Sequence, residues 1–200
     1  RLLTDINYTN SDVTFGGTLN GNAAGKTLTI AAGTGSATFT GAVGGSAALG
    51  ATAITAATTT NNSTWVGNSA ALTITGNAVV NGAISGMTTV SVSGTANIAA
   101  NITSSGNQAY TGAVTITGSA VTLNAGSTGT VLFSSTVNSA ANVGNTASAA
   151  NPLTVTSSSG NITFTGIVGG ATNGALGALT VNTSGTTTFS AAVTAASVTT

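Results

Sequence analysis

Few side chains in this sequence are capable of acid–base, nucleophilic or metal chemistry, and their positions do not favour it. The charged residues are Arg1, Asp5, Asp12 and Lys26; there is no His, Glu or Cys, and beyond Lys26 the only titratable side chain is Tyr110. General acid–base catalysis needs a titratable group held against its partner. Asp5 and Asp12 are the one carboxylate pair, and a paired-carboxylate hydrolase would set them on either side of a glycosidic bond. Close together in an edge segment, they read instead as two solvated surface residues. The Cys and His ligands of zinc sites are absent, as is the periodic Asp of calcium-binding nonapeptide repeats. The expectation is a non-enzyme with no catalytic, cofactor-binding or metal site and no cofactor.

The same composition removes other partners. Nucleic-acid binding relies on clustered Lys and Arg that displace counterions from phosphate, and two cations make no cluster. No apolar run approaches the about 20 residues of a transmembrane helix. The first residues, Arg1-Leu2-Leu3-Thr4-Asp5, lack the apolar stretch of a signal peptide. Without Cys, redox arguments assign no compartment.

Three weaker features remain. Thr flanks the ring residues at Thr14, Thr38, Thr64, Thr163 and Thr188, and again at Thr40, Thr111 and Thr165. A flat Thr array orders water, as on ice-binding solenoids, but Thr is also a good strand residue and the unequal unit lengths argue against the registry ice demands. Glycosylation sequons occur at Asn7, Asn61, Asn62, Asn101, Asn161 and Asn182, about the number that 20 Asn among 64 Ser and Thr produce by composition. All four charges fall between Arg1 and Lys26, which marks a junction with a preceding domain, a capping segment or a subunit contact.

The elements that would position any site are repetitive. Seven rings recur along the chain: Phe15, Phe39, Trp65, Tyr110, Phe133, Phe164 and Phe189. Taking the wide gap from Trp65 to Tyr110 as two units, one without its aromatic near Met87 to Val90, gives a period of about 25. Six of the rings open a word of ring, any, small, any, aliphatic, as in Phe39-x-Gly41-x-Val43 and Phe164-x-Gly166-x-Val168, while Trp65-Val66-Gly67-Asn68-Ser69 fits only in its first half. On a strand these three positions share one face, so the seven rings are expected to form an interior stack. The run Thr38 to Gly45 reappears nearly unchanged as Thr163 to Gly170.

A second strand signal, apolar-Thr-apolar, follows at Leu28-Thr29-Ile30, Leu72-Thr73-Ile74, Val121-Thr122-Leu123, Leu153-Thr154-Val155 and Leu179-Thr180-Val181. Gly and Asn fill the links, and no helical periodicity appears. A loop insertion is expected over 138–151, ended by Pro152. Short strands in units of about 25 residues describe an all-β parallel solenoid, a right-handed β-helix of about eight coils; tandem β-sandwich domains are the alternative. The organisation expected is a junction or capping segment over 1–11 and one solenoid domain over 12–200.

Gly106-Asn107-Gln108-Ala109-Tyr110-Thr111-Gly112-Ala113-Val114-Thr115 and Gly185-Thr186-Thr187-Thr188-Phe189-Ser190-Ala191-Ala192-Val193 resemble units of filamentous-haemagglutinin-like bacterial exoproteins. The likeness runs from about Asp12 to the end and carries no ligand specificity. It implies export to the cell surface, a long β-helical shaft, and roles in adhesion, biofilm or surface display. The first dozen residues match neither the repeat nor the family's secretion-signal domain, so an internal or processed segment is expected. The expected function is a non-catalytic structural or adhesive shaft, with a self-assembling extracellular filament or surface-layer subunit as the alternative. The expected partner is a host or cell-surface ligand, or copies of the chain end to end, with no nucleic acid.

Overall fold

The computed structural model describes residues 11–140 and 150–200. Among them lie eighteen strands, from β1 (Val13–Phe15) to β18 (Ala195–Thr199), and no helix. Every ladder is parallel, and all strands join one sheet that winds on itself. A β-sandwich is antiparallel, so the tandem-sandwich alternative falls. The chain is a parallel β-solenoid of about eight turns.

The winding follows from period-2 patterning. In β4 (Leu49–Asn61), Thr52, Ile54 and Ala56 point inward while Ala51, Ala53 and Thr55 face water. Three sets of ladders form three faces. The first carries the column Val13, Ala37, Thr59, Ala78, Ala96, Val114, Val137, Val168 and Val193. The second carries Leu19, Val43, Trp65, Ile84, Ile102, Leu123, Val155 and Val181. The third carries Ile30, Ile54, Ile74, Val92, Tyr110, Phe133, Phe164 and Phe189.

The coils are not uniform. On the third face the steps from Ile74 to Val92 and from Val92 to Tyr110 are the shortest, and the step from Phe133 to Phe164 is the longest. The wide gap between Trp65 and Tyr110 is therefore not two long units. It crosses these short coils, each little more than three strands and three corners, and Met87 pairs with Ala70 and Ser104 rather than occupying a ring position.

The ring word also differs from its expected form, because it is a corner rather than one strand. Phe39 ends a first-face strand, the chain bends at Gly41, and Val43 begins the second face. In the matching word Phe164 lies on the third face and Val168 on the first. One octet thus serves two different vertices, and it does so with the same local geometry: Gly44 has φ 73° and Gly169 has φ 71°. The small residue is fixed by the neighbouring coil, since a Cβ on Gly41 would run into the Gly17 carbonyl and one on Gly166 into that of Ser135.

Asn carries the corners. The side-chain oxygens of Asn77, Asn101, Asn107 and Asn161 accept the backbone N–H of Thr95, Thr122, Thr130 and Thr186 one coil further on, at 2.9, 2.8, 2.9 and 3.0 Å. Asn20 and Asn138 do the same for Ser46 and Ala171. These bonds satisfy N–H groups that the ladder leaves open where the chain turns. The insertion expected from Asn138 starts later, because β13 (Val137–Ser139) is a first-face strand. Its base is closed by Asn151, whose N–H donates to Ser139 Oγ and whose Nδ2 donates to the Ile116 carbonyl, both at 2.9 Å. Residues 141–149 of the insertion, and all of the 1–11 segment except Ser11, lie outside the described residues.

Candidate functional site

The seven rings do not form one column. Phe15 and Phe39 stack on the first face with centroids 5.0 Å apart, and Trp65 meets Phe39 edge-on at 4.6 Å from its place on the second. Tyr110, Phe133, Phe164 and Phe189 stack on the third face at 5.3, 4.7 and 4.9 Å. Between the two groups the interior is aliphatic: Ile74 and Val92 on the third face, Val80, Ile98 and Ile116 on the first. Phe39, Trp65, Tyr110, Phe133 and Phe164 are buried, while Phe15 and Phe189 are partly so.

The one buried titratable group among the described residues is held by a polar cluster that ring spacing does not reveal. The Tyr110 hydroxyl donates to Gln108 Oε1 at 2.9 Å. Gln108 Nε2 in turn lies 3.2 Å from the Ile102 carbonyl, 3.1 Å from Ser104 Oγ and 2.8 Å from the Asn124 carbonyl. Ser104 Oγ donates to the Gly106 carbonyl at 2.7 Å. Gln108 is fully buried, and it is the only Gln of the chain, two positions before the ring hydroxyl and so on the same inward face. That pairing was the available signal: a buried phenol needs an acceptor. Burial pushes the Tyr110 phenol far above the usual tyrosine range, which keeps it protonated and unable to act as a base.

A second interior cluster has unsatisfied atoms. Thr59 Oγ1, Asn61 Oδ1 and Trp65 Nε1 are buried without a hydrogen-bond partner. Asn61 uses only its Nδ2, which donates to the Gly82 carbonyl at 2.8 Å. All three belong to one coil, at the place where the N-terminal ring group ends.

The exterior offers little for chemistry. Asp12 is exposed and accepts the Ser36 N–H at 2.7 Å, the same corner role that Asn plays elsewhere. Lys26 is exposed, and Arg1 and Asp5 lie outside the described residues. No group of three His, Cys, Asp or Glu that could hold a metal occurs among the described residues, nor any helix long and apolar enough to cross a membrane. Thr14, Thr40, Thr64, Thr111, Thr165 and Thr188 are exposed, and Thr38 and Thr163 half-buried. The second face bears a polar hollow of about 260 Å³ lined by Asn124, Gly126, Thr156, Ser157, Ser158 and Asn182.

Comparison with known protein families, curated proteins and solved structures finds no match for this chain.

Proposed function

We propose that this chain is a non-catalytic shaft segment of an extracellular bacterial surface protein. The observation that carries the reading is a continuous stack of parallel ladders whose interior is mostly rings and aliphatics and whose exterior is mostly hydroxyl, amide and methyl groups. Such a body resists bending and needs no ligand to hold its shape, because each coil is bonded only to its neighbours. Its side chains beyond Lys26 carry no charge, so solubility rests on Ser, Thr and Asn, which suits a spacer better than an electrostatic binding surface. The likeness of the Tyr110 and Phe189 words to filamentous-haemagglutinin-like exoproteins supports surface display and an adhesive or biofilm role.

Two measurements test this. Antibody raised against the chain labels intact source cells if the shaft is surface-displayed, and only permeabilised cells if it is internal. Negative-stain microscopy of the purified chain shows discrete rods about 38 Å long, eight levels at about 4.8 Å each. Uniform fibres that lengthen with concentration would replace the shaft with a self-assembling filament.

A further inference from the structure

We propose that the second face, over its last levels, binds ice. The feature that carries this is a two-file array of short polar side chains in unbroken register. Strands β11 (Val121–Asn124), β14 (Leu153–Thr156), β16 (Leu176–Asn182) and β18 stack in that order. Their outward positions form one file of Thr122, Thr154, Thr180 and Thr199. The second file starts one level earlier, on the strand Ile102–Ser104, and runs Thr103, Asn124, Thr156 and Asn182, so the two files lie side by side over three levels. Stacked levels lie about 4.8 Å apart, and outward residues of one parallel strand about 6.6 Å apart. These two repeats approach those of oxygen atoms on the prism planes of hexagonal ice, so hydroxyls and their bound waters can join the lattice at many points together.

Unequal coil lengths are the natural objection, and the structure removes it. The chain travels further from Leu123 to Val155 than from Val155 to Val181, yet both ladders run without a register shift. Thr122, Thr154 and Thr180, and Asn124, Thr156 and Asn182, therefore stay level with one another despite the difference in coil length. Elsewhere the array fails. The ladders joining β2 (Lys26–Ala31), β4, β5 (Trp65–Val80) and β6 (Ile84–Val92) contain register shifts, and the late third face is interrupted by the protruding Leu132.

The supporting layer suits the role. Val121, Leu123, Leu153, Val155, Leu179 and Val181 beneath the files are buried, so the outward Thr stand on a packed floor. No charged side chain lies on the face to hold a competing hydration shell. Thr offers a hydroxyl to water and a methyl group around which water cages. The hollow beside the second file, about 260 Å³, has room for several ordered waters at about 30 Å³ each.

The test uses the purified chain in a nanolitre osmometer, with ice-recrystallisation assays alongside. The wild type is expected to separate melting from freezing and to facet the growing crystal. Thr154→Tyr puts a bulky ring in the centre of the array and is expected to lose that gap. Thr163→Tyr, the same change on the third face, is expected to keep it. Thermal melts of each variant show that the coil is intact, and Thr180→Tyr serves if Thr154→Tyr does not fold. Round crystals and no hysteresis with the wild type would overturn the proposal, and so would equal loss in the second-face and third-face variants.

Discussion

Phe39 and Trp65 meet edge to face, centroids 4.6 Å apart and planes 62° apart, although the ladder sets Phe39 beside Asn61 and Trp65 beside Val43. The indole reaches across a corner to end a ring stack that its own face does not contain. Above this contact the interior changes from rings to aliphatics, and the coils shorten. Wide rings and long coils go together, since a longer perimeter encloses the larger cross-section that a ring fills.

Removing a central ring tests that fit. Phe164 is fully buried between Phe133 and Phe189, with centroids 4.7 and 4.9 Å away. Phe164→Ala is expected to cost about 3–5 kcal/mol in urea unfolding. Phe164→Asp is expected to unfold at least its local coil, because the carboxylate would have no partner there. A wild-type melting temperature for Phe164→Asp would place the ring in water and contradict the packing described.

The corner bonds make a smaller, more specific prediction. Asn101 Oδ1 accepts the Thr122 N–H at 2.8 Å across neighbouring coils. Asn101→Ala is expected to lower stability by about 1 kcal/mol, whereas Asn101→Asp keeps the acceptor and most of that stability. Equal losses in the two variants would show that the amide acts through something other than this oxygen.

The unsatisfied hydroxyl of Thr59 predicts a gain. Its Oγ1 has no partner, and its column neighbours are Ala37 and Ala78. Thr59→Val keeps the shape and removes the buried polar atom, so it is expected to stabilise the fold by about 1 kcal/mol. A measured loss of stability would mean that the hydroxyl is bonded in solution.

Tyr110 sets the alkaline limb of the pH profile. Its folded pKa is raised by burial, while an unfolded tyrosine titrates near about 10. Below that pH the phenol is neutral in both states and contributes no pH dependence. Above it the unfolded chain loses the proton and the folded chain keeps it, so stability falls by about 1.4 kcal/mol per pH unit. Tyr110→Phe is expected to lower stability near neutrality by about 1 kcal/mol, because Gln108 Oε1 loses its donor, and to remove Tyr110's share of the alkaline fall. An undiminished fall in that variant would assign it to another group.

Much of this architecture was legible because its signals are local. Period-2 words such as Leu153-Thr154-Val155 and bends such as Gly41 state strand and corner residue by residue. What local words do not state is which corner they form. The octets at Thr38 and Thr163 adopt one conformation but sit at different vertices, because any vertex needs only an inward ring, a tight bend and an inward aliphatic. The spacing of the rings does not show the short coils, because these hold Ile74, Val92, Ile98 and Ile116 instead. The Tyr110–Gln108–Ser104 cluster was readable only through the lone Gln, and the bonds to the carbonyls of Ile102 and Asn124 depend on how successive coils stack.

The continuous coil itself is tested most directly by distances between spin labels along one outward column. The chain has no cysteine, so labels go only where cysteines are placed. Thr29, Ser91 and Thr188 share the outer third face, with Ser91 three levels above Thr29 and Thr188 four levels above Ser91. The coil predicts narrow distributions near about 14 Å for Thr29–Ser91, about 19 Å for Ser91–Thr188 and about 34 Å for Thr29–Thr188. Broad distributions, or distances that do not add along the column, would contradict it.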